Sequence, residues 1–176
     1  MQRLVESVAM PVLGYAARKY VAGSTLKDAA RLADRASAKG LHCTLCYWND
    51  GSEDPAVVAA HYASIIEFLA QGNPGGALAV KLPALRENVG RVSQLVTLAR
   101  RKGVQLIFDA HAPDQADAVL RCIERHGGEG LGMAIPGRWR RSLDDAERAV
   151  ALGARVRVVK GEWPDPGDSD IDLREG

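Results

Sequence analysis

Apolar residues along the chain form two alternating patterns: short continuous runs, and longer stripes in which an apolar residue returns every three or four positions. The runs predict buried strands, and the stripes predict amphipathic helices. We expect five strands, separated by about 25 to 35 residues as in successive βα units. They span 41–48, 77–82, 104–110, 131–136 and 155–160.

Capping signals mark the ends of the predicted helices. Thr25 followed by Asp28, and Ser142 followed by Asp145, are capping-box variants that predict helix starts. Pro55 opens another helix, because proline is favoured at the first helical position. Glycines that follow the apolar stripes predict the helix ends. They are Gly40, Gly103, Gly127 and Gly153.

Apolar runs that alternate with amphipathic helices predict an α/β fold, with a parallel sheet buried on both faces and right-handed connections. Either a doubly wound open sheet or part of a (βα)8 TIM-type barrel fits this pattern. Because a complete barrel needs about 250 residues, the 176 residues would supply an incomplete one. We expect an N-terminal helical lead-in at 1–40, a partial barrel at 41–163 and an acidic loop at 164–176.

Composition favours one domain of a soluble enzyme, with 47% hydrophobic residues. The 23 Lys and Arg nearly balance the 22 Asp and Glu, so charge gives no reason to expect nucleic acid as a partner. Cys43 and Cys46 would point to opposite faces of a strand, which argues against a disulfide or a zinc pair. Cys122 fits a buried helix face. A reducing cytoplasm is the expected compartment.

Polar residues at the carboxyl ends of the predicted strands are the candidates for chemistry, because parallel α/β folds gather functional groups there. Lys81 could hold a substrate carboxylate or simply extend into solvent. Asp109 ends a mostly apolar strand and would need a partner if it is buried. His111 would share the face of Asp109, but two ligands are too few for a metal site. We therefore expect no metal.

The fifth predicted strand and several loop segments contain further candidate residues. Arg157 and Lys160 belong to the apolar run RVRVVKG, where cations could reach solvent or contact an anionic, electron-rich partner. We interpret the basic segment 138–141 as a solvated loop before a helix. The glycines of 127–132 precede a strand instead of following one, which excludes a Rossmann phosphate loop. Asn49 is explained by turn chemistry.

Several of these segments resemble, in order along the chain, motifs of the flavin-dependent proline dehydrogenase family. RVRVVKGEW is similar to the family's IRLVKGAYW, VKLPAL to VKLSAL, and LIFDAH to IDAE. IPGRWRRS resembles IQAYLKRS, and YVAGSTLKDAARLADRASAKG resembles the helical lead-in to the first barrel strand. The resemblance covers most of the chain. It implies a barrel that oxidises L-proline to pyrroline-5-carboxylate with FAD, and a quinone as electron acceptor.

The resemblance also implies roles for individual residues. Lys81 would bind the proline carboxylate, and Asp109 and Arg157 would be catalytic residues beside the flavin. FAD would contact Ala110, Arg157, Lys160 and Gly161. The expected location is the cytoplasm, or the periphery of the inner membrane where a quinone is met. The oligomeric state is left open.

Four positions differ from the residue that the family pattern has there: Pro136 for Gln, Arg138 for Tyr, Glu162 for Ala and Trp163 for Tyr. His111 stands where the family often has Glu. These differences leave the exact substrate open.

Strands and a final helix with two carboxylate-binding arginines would follow in the family, so we do not expect the isolated chain to be active. Two alternatives to a flavoenzyme remain. One is a barrel lyase or aldolase with a Schiff base at Lys81 or Lys160. The other is a degenerate fragment that binds no flavin.

Overall fold

The computed structural model describes residues 22–72, 75–110, 112–162 and 164. The chain divides into two units, Met1–Leu41 and His42–Gly176. In the first unit, helix α1 spans Leu26–Ser37. Thr25 Oγ1 accepts a hydrogen bond from the Asp28 N–H at 3.2 Å and donates one to the Asp28 carboxylate at 2.7 Å. The predicted cap at this helix start is therefore confirmed.

Strands and helices alternate through the described part of the second unit, as the sequence predicts. In chain order they are β1 Thr44–Cys46, α2 Pro55–Gly72, β2 Ala77–Val80, a 3₁₀ turn at Pro83–Leu85, α3 Val89–Lys102, β3 Gln105–Phe108, α4 Pro113–His126, β4 Leu131–Pro136, α5 Ser142–Ala151 and β5 Arg155–Val159. Strand β1 is shorter than predicted, because its pairing with β2 covers only three residues.

The five strands lie in one parallel sheet in the order β1-β2-β3-β4-β5. A doubly wound sheet reverses its strand order at a switch point, and this sheet does not. With right-handed connections, sequential order places helices α2 to α5 on the same face. That is the winding of a TIM-type barrel, here as an open arc of five strands. The predicted fold class is confirmed.

Paired positions of a parallel sheet point to the same face, and the two faces differ here. On the helix-covered face, Leu78, Leu106 and Leu131 are paired in register and are fully buried. Burial of a leucine side chain contributes roughly 1.5–3 kcal/mol. On the opposite face, called the open face here only because helices α2 to α5 lie on the other side, Ala77, Ile107 and Ala134 form a small buried cluster, with Ala110 and Val159 packed against it. The sheet is therefore anchored by its helix side.

The interpretation of 138–141 as a solvated loop is wrong for two of its residues. Trp139 is only 2% exposed and is among the largest fully buried side chains. Arg141 binds both carboxylate oxygens of Asp145, at 2.8 and 3.0 Å, and pairs with Asp117 at 2.6 Å. Because Asp117 lies far away in sequence, local charge could not reveal this network.

The predicted capping box at Ser142 is wrong for a related reason. Helix α5 begins after Arg141 without a side-chain cap. The Ser142 hydroxyl donates instead to the carbonyl oxygen of Pro136, at the end of β4. Asp145, the expected partner of the cap, is buried and occupied by Arg141.

The structure also bears on the cysteines, on metal ligands and on membrane-spanning helices. Cys122 is buried, as predicted. Within the described ranges, no group of three or more His, Cys, Asp or Glu side chains could hold a metal ion. No described helix is both long and apolar enough to cross a membrane. His111 and Trp163 lie outside the described residues.

Candidate functional site

A row of five side chains crosses the open face at the C-terminal edge of the sheet, and we call it the mouth row. Ala134 pairs with Arg157 in the register of β4 and β5. The pairing of the other strands, extended one or two residues beyond their ends, aligns Asp109, Lys81 and Trp48 with Ala134 and Arg157. Three of the five, Lys81, Asp109 and Arg157, are sequence-predicted site residues. The fold therefore brings these three into one row.

Arg157 and Asp109 form an ion pair across the mouth row. Arg157 Nη2 lies 3.0 Å from Asp109 Oδ1, and the two side chains are 35% and 28% exposed. The contact crosses strand β4, over the methyl group of Ala134, because neighbouring strands are only about 4.8 Å apart. Asp109 thus has the partner that its position required. Arg157 Nε is buried and finds no hydrogen-bond partner in the described part of the chain.

Lys81 is fixed at both its backbone and its side chain. Its backbone N–H donates to the Tyr62 hydroxyl oxygen at 3.1 Å. Tyr62 is fully buried, and this burial raises the pKa of its phenol to about 12, so the hydroxyl stays neutral. The ammonium of Lys81 lies 4.2 Å from the ring centroid of Trp48. That distance is a cation–π contact.

Cys46 lies one row below and is influenced by the three charged members of the mouth row. It is exposed on the open face, yet the surrounding protein atoms raise the pKa of its thiol by desolvation. Lys81 opposes this effect, Asp109 adds to it, and Arg157 again lowers the pKa. The three charges therefore act on one point of the sheet.

An open groove of about 620 Å³ runs between the ends of β3, β4 and β5. Four predicted site residues line it: Asp109, Ala110, Lys160 and Gly161. Gly161 has φ +85°, and a Cβ at this position would lie 2.5 Å from Pro136 Cβ. Only glycine allows this close approach. The backbone after β5 is thereby held against the end of β4.

Lys81 opens onto a second cavity, of about 310 Å³, on the β1 side. Asn49, Glu53 and Arg86 line it together with Lys81. Arg86 and its neighbour Glu87 have φ of 50° and 49°, which is left-handed backbone that non-glycine residues rarely adopt. Such positions cluster at functional sites. Among the described residues, the linings of the two cavities have no residue in common, and Arg157 belongs to neither. The register of the strands, and not a shared cavity, therefore brings Lys81, Asp109 and Arg157 into one row.

Sequence reasoning missed Trp48, Cys46, Ala134 and Arg86. Trp48 could have been found from the two-residue period of the predicted strand 41–48, since it follows Cys46, the last residue of β1, by two positions. Arg138, a sequence candidate, lines the groove and donates from Nη1 to the Glu162 carbonyl oxygen at 3.4 Å. Arg86 carries no sequence signal, because its placement depends on the 3₁₀ turn after β2.

No family model and no curated protein matches this sequence. Among solved structures, the chain is similar to proline utilization A (PutA) from Bdellovibrio bacteriovorus inactivated by N-propargylglycine. The TM-score is 0.70 at 18% identity, covering 90% of this chain and 21% of that one. The D778Y mutant of PutA from Bradyrhizobium japonicum gives a TM-score of 0.61 at 21% identity, with the same coverage of both chains.

A xylose isomerase domain protein from Planctomyces limnophilus is also similar, with a TM-score of 0.54 at 17% identity. That match covers 75% of this chain and 59% of the other. At these identities the likeness shows a shared fold. The chain spans about a fifth of the length of the PutA chains.

Proposed function

We propose that this chain supplies the first five βα units of an FAD-dependent oxidoreductase that oxidises L-proline to pyrroline-5-carboxylate, with a quinone as electron acceptor. The observation that carries the proposal is the mouth row, where Arg157 is paired with Asp109 but keeps a buried Nε that has no hydrogen-bond partner among the described residues. Buried polar groups rarely stay unpaired in native proteins. The fold shared with PutA agrees with the proposal.

The residues present fit a flavin at the groove between β3 and β5. Arg157 Nε, which has no partner in the part of the chain that the structure describes, can donate to an acceptor atom on a ring held over the row. Gly161 brings backbone close to the groove where any larger residue would be strained. Lys160 adds an exposed ammonium suited to a phosphate or to a ring that gains charge. Ala110 leaves room beside Asp109.

FAD, when bound, would supply the hydride acceptor, and the chain's own residues would bind and orient the reactants. Lys81 would hold the proline carboxylate as a point charge. Asp109 would fix the guanidinium of Arg157 through their ion pair. Arg157 and Lys160 would place positive charge where negative charge develops during oxidation. A quinone acceptor implies a protein of the cytoplasm that meets the inner membrane at its periphery.

The test is FAD titration of the whole gene product that contains this chain, followed by anaerobic addition of L-proline. We expect a flavin absorption band that bleaches with L-proline. Lys160→Ala should weaken FAD binding about tenfold or more, since it removes a charge-assisted contact. Lys102→Ala is the matched control, because Lys102 pairs with Glu67 on the outer helices. It should leave FAD binding unchanged.

Each alternative gives a different result in the same samples. A protein that never acquires a flavin band, even with excess FAD, is the degenerate fragment. A covalent adduct trapped by borohydride with a carbonyl substrate identifies a Schiff-base enzyme. Unchanged FAD affinity in Lys160→Ala contradicts the role given to that lysine.

A further inference from the structure

Trp48 is a large apolar residue that the fold leaves in solvent. Its side chain is 84% exposed, the highest value among the exposed large hydrophobic residues of the described chain. A side chain with this exposure adds little to the hydrophobic stability of the fold. Its ring lies 4.2 Å from the ammonium of Lys81. Trp48 therefore contacts Lys81 and does not pack in the core.

The register explains why these two residues meet. Cys46 pairs with Ala79, so the positions two residues later, Trp48 and Lys81, lie side by side on the open face. Tyr62 fixes the backbone of Lys81 from below. The four-carbon stem of a lysine is flexible, however, and a fixed backbone does not fix the ammonium. The indole face supplies a place where the ammonium is attracted.

The polar groups around Lys81 indicate which kind of ligand could bind there. Its cavity also contains Arg86 and Asn49, which are hydrogen-bond donors suited to a carboxylate. Glu53 also lines this cavity: its Oε1 accepts from the Tyr47 hydroxyl at 2.7 Å, whereas its buried Oε2 has no hydrogen-bond partner among the described residues. A small acid bound there would have its carboxylate at the β1 end of the mouth row. The rest of the molecule would extend towards Asp109 and Arg157.

We propose that Trp48 is a positioning residue that holds the Lys81 ammonium for the carboxylate of a small amino or imino acid. This inference rests on the proposed function, and it adds a residue that acts through Lys81. Trp48 should therefore affect the binding of substrates with a carboxylate. It should leave the chemical step and carboxylate-free analogues unaffected.

The test compares L-proline with pyrrolidine, which lacks the carboxylate, in the FAD-loaded gene product. Trp48→Leu should raise KM and the dissociation constant for L-proline about two- to fivefold, the range expected for an exposed cation–π contact. It should leave kcat and pyrrolidine affinity unchanged. Trp48→Phe keeps a ring and should recover most of the loss. Leu143→Ala, which alters another exposed apolar residue, is the control.

A double-mutant cycle separates positioning from a purely structural role. In a Lys81→Met background, Trp48→Leu should cause no further loss of L-proline binding. An equal loss in both backgrounds, or equal losses for L-proline and pyrrolidine, overturns the inference while the proposed function stands. If the wild-type protein binds FAD but not L-proline, the proposed function fails, and the role of Trp48 fails with it.

Discussion

The two edges of the sheet each combine an open cavity with an arginine, and they differ in how the arginine is used. At the N-terminal edge, a cavity of about 490 Å³ is lined by Arg100 and Arg155. Arg100 donates to the carbonyl oxygens of His126, Gly127 and Glu129, at 2.8 to 3.1 Å. At the C-terminal edge, the buried Nε of Arg157 finds no partner within residues 22–72, 75–110 and 112–162. The cavities at the two edges are similar in size, about 490 and 620 Å³. The edges therefore differ in whether the arginine side chain has hydrogen-bond partners.

The satisfied arginine has a structural explanation. The last turn of a helix leaves carbonyl oxygens without intrahelical donors. Arg100 supplies donors to the end of α4 and to the turn that leads into β4. No ligand is needed to explain that edge. The C-terminal edge has polar groups that the described protein atoms do not satisfy, which makes it the better candidate for a ligand.

The largest expected effect tests the close approach at the C-terminal edge. Gly161→Ala should lower the free energy of unfolding by about 2–4 kcal/mol, because it adds left-handed strain of about 1–2 kcal/mol and an overlap with Pro136. Gly153, just before β5, has a similar φ of +79°, but a Cβ at this position would have no described atom within 4 Å. Gly153→Ala should therefore cost only the strain. Urea unfolding of both variants measures the difference, and equal losses contradict the close approach.

A second prediction uses two arginines of one strand. Arg155 and Arg157 point to the same face of β5, but Arg155 is its first residue and lines the cavity at the N-terminal edge, whereas Arg157 lies two residues closer to the C-terminal edge. Arg157→Met should weaken FAD binding about tenfold to a hundredfold, since a hydrogen bond to a charged group is worth about 1.5–3 kcal/mol. Arg155→Met should leave it unchanged. Flavin fluorescence titration measures both, and equal losses would remove the contrast between the edges.

Much of the fold could be predicted from the sequence, because it depends on local patterns. The apolar runs and the helix ends, such as Gly103 in left-handed conformation after α3, are read from neighbouring residues. The order of the strands could not be predicted in the same way, since the same βα units could also form a doubly wound sheet. Only the observed strand pairing distinguishes the two arrangements.

The candidate site divides along the same line. Lys81 and Asp109 could be predicted because strand ends collect polar groups, whereas Arg157 lies within β5 and its role was implied by the family resemblance. The pairing of Asp109 with Arg157 could not be predicted, because it depends on the small size of Ala134 between them. Trp139 and Arg141 were misassigned for the same reason, since a buried aromatic and a long-range ion pair leave no trace in local charge. Proximity across strands is the information that one sequence lacks.

A third prediction tests the structural edge. Arg100→Ala should lower the free energy of unfolding by about 1–2 kcal/mol, because several carbonyl oxygens around the end of α4 lose their donor. Arg101→Ala changes an exposed neighbour on the same helix and should have little effect. Neither variant should alter FAD affinity. Weaker FAD binding in Arg100→Ala would show that the N-terminal edge also serves the ligand.

Arg141 also lies at the C-terminal edge, after β4, but its guanidinium is bound by other residues of the protein. It contacts Asp145, Asp117 and the Pro113 carbonyl oxygen. Its hydrogen bond to Asp117 holds the pKa of that carboxyl below its usual value of 3.8. Position at the C-terminal edge alone therefore does not make an arginine available to a ligand.

The smallest expected effect is the pH dependence of this pair. Because the pKa of Asp117 is lower in the folded chain than in the unfolded chain, its contribution is present above about pH 4 and is lost as pH falls through the folded pKa. Asp117→Asn should lower the free energy of unfolding at pH 7 by at most about 1 kcal/mol, since the Asp117 side chain is 48% exposed. The gap from wild type should close below pH 4. Urea unfolding across this range measures it, and a gap that stays constant into acid would mean that the Arg141 contact does not depend on the charge of Asp117.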